Sequence, residues 1–407
     1  MDSLNRIVNV RLGAAVDYTS HAALGSSKNG ITFRALTGIR GLYSYVVGLV
    51  CRVETAVDES SASAALAWET LVNWIASTTI TAAGHTYCSA VSGKAFYNIA
   101  AMSGIIAPGG KGAGFWPIAD VGSSEAAVAQ DFGMLIPFAP GFFRSNDSGM
   151  SDLAGAVPLP ILADQGAMQY TTISALGGNW RLDGGTDTHE IGVYPVIVDL
   201  KNPISYVRPT FHELAAASGD GSVTLPGSGP RTIVCAGIYD DAYSTMTEAP
   251  GLELNVDGLV YQSGVTSDEL NKLYAARGSE NYIGQDGGPM DNVPICGSWG
   301  NSPGASLTGS VIKIQNGHTA HTASLYVSMD LRQPTVAEML ADLKAQAVPA
   351  DLAGRVVAEY ERVAAAAGDT TYLRAGLVPY RQAVPGGVAQ VPGQLGATPL
   401  VVAIEQA

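Results

Sequence analysis

Two glycine-rich segments of the sequence match, in part, the spacing of motifs that carry catalysis or phosphate binding. Residues 300–304 read GNSPG and fit G-x-S-x-G, in which a turn between a strand and a helix exposes a nucleophilic serine. Pro303 and the neighbouring glycines disfavour the helix that must follow that serine. Residues 109–112 read GGKG, but Gly112 replaces the Ser or Thr that follows the lysine of a phosphate-binding loop, and Ile105 replaces its first glycine. We therefore predict that both segments are surface loops.

Histidines and carboxylates are also spaced in ways that could bind a metal ion. His318 and His321 follow the turn signal Asn316-Gly317, so we expect exposed histidines on a hairpin loop. Residues 182–190 (LDGGTDTHE) combine carboxylates with glycines, as a calcium loop does, but they lack the spacing of an EF-hand. A solvated loop is therefore favoured there, while a stabilising cation stays an open alternative.

The remaining reactive side chains lack a partner that the sequence could identify. Asp240 and Asp241 end a predicted strand, where adjacent side chains point to opposite faces and make a poor acid–base pair. The same lack of a partner applies to four histidines, His21, His85, His189 and His212. The four cysteines have no CxxC or zinc-like spacing and are predicted to be reduced thiols, although two disulfides stay possible: Cys51, Cys88, Cys235 and Cys296. We predict no catalytic, cofactor-binding or metal-binding residue.

The elements that would position these residues in the first half of the chain are mainly β-strands. Residues 43–53 alternate apolar and polar positions, which predicts a half-buried strand. A strand pair is expected within 126–138 and single strands within 170–176 and 191–200, and Pro195 favours a sheet edge for the last of them. Short strands divided by Gly- and Pro-rich loops are typical of a sandwich or barrel.

Two other segments of the first half are less regular. Residues 1–12 predict a short helix, because Leu4, Ile7, Val8 and Leu12 recur at helical spacing. Residues 95–106 fit either a strand or a short helix.

The strand pattern begins again after a linker, residues 201–209, that contains two prolines. Strands are predicted over 231–239, 252–260, 310–315 and 323–331. Residues 267–277 (SDELNKLYAAR) predict a helix that starts at a serine cap.

The C-terminal part of the chain changes character once more. Thr335 and Glu338 form a capping-box pattern ahead of helical spacing that continues to Ala367, and Pro349 divides it into two helices. Residues 368–407 are rich in Pro and Gly and are predicted to be extended.

Composition favours a protein whose surface is covered by other subunits. Charged residues make up only 14% of the 407 residues, while hydrophobic residues reach 47%. A monomer normally covers its surface with charge, so we infer that much of this surface is buried between subunits; a monomer with a large core is the alternative. The net charge of −14 disfavours electrostatic binding of nucleic acid. We find neither a signal peptide nor an apolar stretch of about 20 residues.

The order of these features resembles the major capsid proteins of tectivirus-like, membrane-containing tailless bacteriophages. The resemblance covers roughly residues 30–333 and rests on five segments, GIRGLYSYVVGLVCRVE (38–54), IPFAPGFF (136–143), SDLAGAVPLPI (151–161), HEIGVYPVIVDL (189–200) and TIVCAGIYDD (232–241), followed by the D-E-L helix and the strand SLYVSMDL. It implies an all-β chain of two fused eight-stranded jelly rolls, a double jelly roll, with short helices in its loops. The expected domains are an N-terminal arm (1–29), a first roll (30–202), a second roll (203–334) and a helical and extended C-terminal appendage (335–407).

The resemblance also implies a structural role without enzymatic activity. Homotrimers of pseudo-hexagonal outline would tile an icosahedral virion shell over an internal membrane, after assembly in the host cytoplasm. The expected partners are other copies of the chain, neighbouring capsomers, and minor capsid and vertex proteins, with no sequence-specific nucleic acid. Arg6 and Arg11 in the N-terminal arm could face the lipid headgroups.

Two other functions fit the sequence less well. A secreted carbohydrate-binding or carbohydrate-cleaving β-sandwich could use exposed tryptophans, but it should carry a signal peptide, and a glycosidase a convincing carboxylate pair. The candidate residues are Trp68, Trp74, Trp116, Trp180 and Trp299. A capsid accessory or spike protein would share the β-rich character without needing two matching rolls.

Overall fold

The computed structural model of the protein describes most of the first half of the chain and the separate strands of the second half. The described residues are 7–21, 25–59, 74–103, 105, 128–143, 153, 155–174, 180–182, 189–201, 203, 207–215, 220–224, 231–239, 252–256, 259–265, 292–296, 306–307, 311–315, 325–332 and 334–366.

Strands dominate the described residues, as predicted. In chain order the strands are β1 (Ile7–Leu12), β2 (Asp17–His21), β3 (Ser27–Thr32), β4 (Tyr43–Glu59), β5 (Ile75–Ala82), β6 (His85–Val91), β7 (Val128–Pro137), β8 (Val157–Pro158), β9 (Ala167–Thr172), β10 (Trp180–Leu182), β11 (His189–Leu200), β12 (Arg208–Ala215), β13 (Asp220–Thr224), β14 (Arg231–Tyr239), β15 (Leu252–Val256), β16 (Leu259–Val265), β17 (Asn292–Cys296), β18 (Ser306–Leu307), β19 (Val311–Gln315) and β20 (Leu325–Arg332). The helices are α1 (Gly93–Met102), α2 (Pro140–Phe143), α3 (Leu159–Gln165), α4 (Val336–Ala345) and α5 (Ala350–Ala366). Within the described ranges, no helix is both long enough and apolar enough to cross a membrane.

The first roll consists of two sheets packed face to face. In one sheet, β11 lies between β4 and the pair β1 and β2, and β7 pairs with the far side of β4. In the other, the order is β6-β5-β9-β3. Leu49 and Ile136 of the first sheet share one buried cluster with Ile80 and Met168 of the second. Apolar burial between the sheets is thus what holds the first roll together.

The second roll repeats the strand order of the first. The eight main strands of the second roll, which exclude the short strand β18, are counted here along the chain from β12. One sheet has the order first-eighth-third-sixth (β12-β20-β14-β17). The other has the order second-seventh-fourth-fifth (β13-β19-β15-β16). In the first roll, counting β1 and β2 as one strand and leaving out the short strands β8 and β10 gives the same two orders. This order, with each sheet drawing strands from both ends of the unit, is that of a jelly roll. The predicted fold, an all-β double jelly roll, is confirmed.

The two rolls share a sheet. β6 of the first roll pairs in parallel with β12 of the second, with Cys88 opposite Phe211, so one sheet runs from β3 to β17. Helix α1 follows β6 and places Phe96 5.3 Å from Phe211, ring to ring. The rolls are therefore joined by backbone hydrogen bonds and by a common apolar cluster.

The C-terminal helices form as predicted. Thr335 caps α4: its hydroxyl accepts from the backbone N–H of Glu338, whose carboxylate accepts in turn from the N–H of Thr335. Met339 and Leu343 of α4 pack with Val356 of α5 and with Tyr43, the first residue of β4. The appendage is thus held against the first roll.

Several predictions differ from the structure. The helix predicted over residues 1–12 is wrong where the chain is described, since Ile7–Leu12 is strand β1. Strands β1, β2 and β3, the first two of which lie wholly within the predicted arm, pair with other strands in the sheets of the first roll. Within residues 95–106, helix α1 runs as far as Met102, and residues 128–137 form one strand, β7, instead of a strand pair. The helix predicted over 267–277 lies outside the described residues.

The edge position predicted for β11 is also wrong. β11 is central, because β1 and β2 pair with one side and β4 with the other. The Pro195 carbonyl accepts from the Gly13 N–H at 2.8 Å, so this residue faces the short segment between β1 and β2. N–H and C=O of one residue point to the same side of a strand, so the missing proline N–H interrupts no ladder there.

Candidate functional site

Most of the motifs that the sequence singled out lie outside the described residues. These are GNSPG, GGKG, the His318 and His321 loop, Asp240, Asp241 and residues 183–188. Cys51, Cys88 and Cys235 are buried free thiols, as predicted. Among the described residues, no three His, Cys, Asp or Glu side chains are grouped as metal ligands would be.

Arg11, predicted to face lipid, forms an ion pair within the chain. Its Nε donates to Oδ2 of Asp199 at 3.1 Å, and its guanidinium also donates to the Thr37 carbonyl at 2.9 Å. Asp199 is fully buried and accepts as well from Ser44 Oγ at 2.5 Å and Asn9 Nδ2 at 3.3 Å. This pair ties β1, β4 and β11 together. Arg6 lies outside the described residues, and a contact of either arginine with lipid stays a prediction.

Two of the histidines for which the sequence offered no partner lie in the shared sheet. His212 Nε2 forms a hydrogen bond with Oδ1 of Asp330 on the neighbouring strand, and both side chains are buried. His85 Nε2 lies 3.1 Å from the Pro209 carbonyl and 3.3 Å from Thr210 Oγ1. Burial lowers the pKa of His85 to about 4, although its contact with the Pro209 carbonyl acts in the opposite direction.

A partly buried carboxylate connects β12 to the start of α1. Glu213 accepts from the backbone N–H of Ser92 at 2.6 Å and from its hydroxyl at 3.1 Å. Burial raises the pKa of Glu213, while these hydrogen bonds and the charge of Lys94 oppose the rise. The contact crosses the junction between the rolls beside the pairing of β6 with β12.

The C-terminal appendage docks through an arginine that begins the second roll. Arg208, 4% exposed, donates to Glu338 Oε1 at 2.8 Å and to both carboxylate oxygens of Asp342 at 3.2 Å. Arg332 donates to the same Glu338 oxygen at 2.9 Å. Burial raises the pKa of Glu338, but hydrogen bonds from Thr335 and Arg332 and the charges of both arginines outweigh it and hold the pKa at about 2.

A tyrosine of the first roll completes this docking. Tyr45 Oη donates to Gln346 Oε1 at 2.6 Å, and both residues are buried. Helix α4 therefore contacts both rolls, the first through Tyr45 and the second through Arg208.

Among the described residues, the large exposed apolar side chains other than Tyr18 of β2 lie on two surfaces of the first roll and its appendage. The first, which we call the β1 flank, consists of Val8, Val10 and Leu12 on the edge strand, which are 48%, 49% and 59% exposed. The second is the base, the end of the roll where Ile7, Leu200 and Tyr43 lie opposite one another on β1, β11 and β4. The loop of residues 33–42, which precedes β4, and helix α4, which packs against Tyr43, also belong to the base.

The tryptophan that the structure describes most fully does not form a sugar-binding platform. Trp74 is 1% exposed and lies in the core of the first roll. Trp180 belongs to β10, and the other three tryptophans lie outside the described residues.

Comparisons with known proteins find the fold but no sequence relative. Neither a protein-family model nor any curated protein matches the sequence. Among solved structures, the chain is similar to the major capsid protein of Sulfolobus Turreted Icosahedral Virus (STIV), with a TM-score of 0.51 and 11% identity over 81% of this chain and 99% of that chain. The major capsid protein P2 of bacteriophage PM2 has a TM-score of 0.43 and 10% identity, over 80% of this chain and 98% of that chain. The PBCV-1 virus capsid has a TM-score of 0.43 and 10% identity, over 81% of this chain and 96% of that chain. Both the strand order and the STIV likeness show that this chain has the double jelly-roll fold.

Proposed function

We propose that this protein is a viral major capsid protein whose homotrimers, of pseudo-hexagonal outline, tile an icosahedral shell. The observation that carries the proposal is that the chain uses one strand order twice, in two rolls that share a sheet. The structural alignment with the STIV major capsid protein covers 99% of the length of that protein. In this proposal the chain is structural and catalyses no reaction.

The physical argument for a trimer is one of symmetry. Two rolls of one topology, held rigidly side by side, present two similar flanks, and a three-fold arrangement of such pairs presents six. Six similar flanks allow each capsomer to contact its neighbours in a near-hexagonal lattice. The sparse charge of the sequence supports burial of those flanks against other copies.

We propose further that the base of the first roll faces an internal membrane. Ile39 and Leu340 are 40% and 44% exposed there, and Arg34, Arg40 and Lys344 are exposed on the same loop and helix. Apolar side chains among basic ones suit the surface of an anionic bilayer. Asp164 of α3 is exposed nearby and weakens this attraction without cancelling it.

The remaining parts of the proposal concern domains and partners. The first roll would run from about Ile7 to Leu200 and the second from Arg208 to Arg332, followed by the appendage. Minor capsid and vertex proteins would complete the shell, which would assemble in the host cytoplasm.

Light scattering and negative-stain imaging of the purified chain test the capsid role. We expect a trimer of about three times 42.0 kDa with a six-sided face. A monomer that binds glycans would support the carbohydrate-binding alternative, and a fibrous trimer would support the spike alternative; either result would overturn the proposal.

Vesicle flotation tests the membrane part separately. Ile39→Asp should reduce binding of the trimer to phosphatidylglycerol vesicles, because it puts a charge where an apolar side chain would enter the bilayer. Gln169→Asp, which adds the same charge at an exposed position of β9, is the matched control. Equal binding by the two variants would remove the base from the membrane interface.

A further inference from the structure

The β1 flank lies at the edge of a sheet. β1 pairs with β11 on one side, and among the described residues no strand pairs with its other side. Proteins usually protect such an edge with lysine, proline or an inward-pointing charge, because exposed backbone groups recruit other strands. The exposed positions here are instead Val8, Val10 and Leu12. Both the backbone and the side chains of this edge therefore suit pairing with one more strand.

The face of the sheet to which the flank belongs is covered by the chain itself nearer its middle. Val10 lies opposite Val198 of β11, and Leu12 lies opposite Val196. Val198 is fully buried, and Val196 packs against the same cluster, together with Phe142 of α2. The exposed margin is one strand wide, so a single added strand is enough to cover it.

One segment outside the described residues has the composition of such a strand. Residues 400–404 read LVVAI and are the one run of five apolar residues without glycine or proline within residues 367–407. β-branched residues such as valine and isoleucine favour strands. Before this run the chain is interrupted by Pro379, Pro385 and Pro392, and proline cannot donate to a ladder. The run is therefore the part of residues 367–407 best suited to pair along a sheet edge.

The spacing of side chains in this segment matches the flank. Alternate residues of a strand share one face, so a strand over 400–404 presents Leu400, Val402 and Ile404 together. Beside β1, these three side chains extend the apolar row of the β1 flank. The charge that follows, Glu405, is then on the same face as Arg11, so no carboxylate is placed among the apolar side chains.

The length of the chain beyond α5 allows this segment to reach the edge within the same copy. Tyr43, against which α4 and α5 pack, lies opposite Leu200, and Leu200 lies opposite Ile7 at the start of β1. Two strand spacings of about 4.8 Å separate Tyr43 from β1. Residues 367–399 can extend over roughly 100 Å, more than these spacings and the length of α5, about 25 Å, together require. An attached segment also has a higher effective concentration at the edge than a free partner.

We propose that residues 400–404 of each copy add as a strand to the outer edge of its own β1 and cover the β1 flank. By occupying the edge, the segment prevents it from recruiting strands of other chains. The inference does not rest on the proposed capsid function, because the contact lies within one copy. A protein that stays monomeric would refute the capsid role and leave this contact in place.

Hydrogen exchange of the full chain, followed by mass spectrometry, tests the added strand. Adjacent N–H groups of a strand point to opposite sides, so either Val401→Pro or Val402→Pro removes a donor from the ladder with β1. One of these two variants should speed exchange of Ile7–Leu12 by about tenfold or more. The matched control, Val388→Pro, changes a valine outside the segment and should leave that exchange unaltered. Equal exchange in all three variants would overturn the proposal.

Disulfide cross-linking identifies the copy that supplies the strand. Val402→Cys is combined in turn with Val8→Cys, Val10→Cys and Leu12→Cys, so that each alignment of the two rows is sampled. At least one pair should form a disulfide within a single chain on non-reducing electrophoresis, whereas Val388→Cys with Val10→Cys should not. A disulfide between two chains would assign the segment to another copy, and no disulfide in any of the three pairs would leave the flank without this occupant. Either result overturns the proposal.

Discussion

The neighbouring strands β12 and β20 have two buried faces of opposite chemistry. On one face, Phe211, Met329 and Leu331 join the apolar cluster that α1 covers. On the other face lie Thr210, His212, Ser328 and Asp330, which are 9% exposed or less. Alternation along a strand normally separates a core face from a solvent face, but here it separates an apolar interior from a polar one.

The two faces obey different energetic rules. Apolar side chains gain stability in proportion to the area they bury, whatever their exact neighbours. Buried polar side chains cost stability unless a partner satisfies them, so their contribution depends on single contacts. The hydrogen bond between His212 and Asp330 is one such contact, and Ser328, whose Oγ has no hydrogen-bond partner among the described residues, is the opposite case.

Breaking the contact between His212 and Asp330 should have the largest effect. Asp330→Ala leaves His212 buried without its partner, and we expect the free energy of unfolding to fall by about 3 kcal/mol. Urea denaturation followed by circular dichroism measures this change. Combining His212→Leu with Asp330→Leu should recover much of the loss, because neither buried side chain is then left without a hydrogen-bond partner. A loss below about 1 kcal/mol in Asp330→Ala would mean that the pair is not a main contributor.

Acid should lower the free energy of unfolding through His85, which contacts Thr210 on the polar face. Burial holds the pKa of folded His85 at about 4, below the ordinary 6.5, so the unfolded chain takes up the proton first as pH falls. Stability is therefore full above pH 6.5 and declines by about 3 kcal/mol towards pH 4. The groups facing His85 are Arg208, Arg332 and Asp330.

Urea denaturation between pH 7 and pH 4 measures this decline, with His85→Gln as the control that lacks the titrating group. The variant should lose less stability than the unchanged protein across this window. Parallel pH profiles would contradict the assignment to His85.

Sequence patterns predicted the elements of this region better than their contacts. The alternation of residues 324–331 identified β20, and the Thr335 and Glu338 pair identified the start of α4. No local pattern relates His212 to Asp330, which are 118 residues apart and meet only through the order of strands. The same holds for Arg208 and Asp342, and for Arg11 and Asp199.

The failure at β1 has a different physical cause. Leu4, Ile7, Val8 and Leu12 fit helical spacing, although the strand itself alternates. Its alternation is inverted, because the apolar Val8, Val10 and Leu12 are exposed while Asn9 and Arg11 are partly buried and bond to Asp199.

On the apolar face, Met329→Ala should cost about 2 to 3 kcal/mol, since the side chain is fully buried and its removal leaves a cavity. Met329→Leu, which keeps most of the volume, should cost less than about 1 kcal/mol. Urea denaturation measures both variants. Equal losses would show that shape, and not buried volume, governs this face.

The smallest effect is expected at Ser328, which lies on the polar face but forms no hydrogen bond with a described residue. Its hydroxyl is buried without a described partner, so Ser328→Ala removes a polar group that gains nothing from the fold and replaces it with a smaller apolar side chain. We expect a change within about 0.5 kcal/mol of zero, on either side. Ser328→Thr is the matched test of space, because it keeps the hydroxyl and adds a methyl group. A large loss in Ser328→Ala would mean that the hydroxyl binds an ordered water beside His212, its cross-strand neighbour, and that the polar face is satisfied throughout.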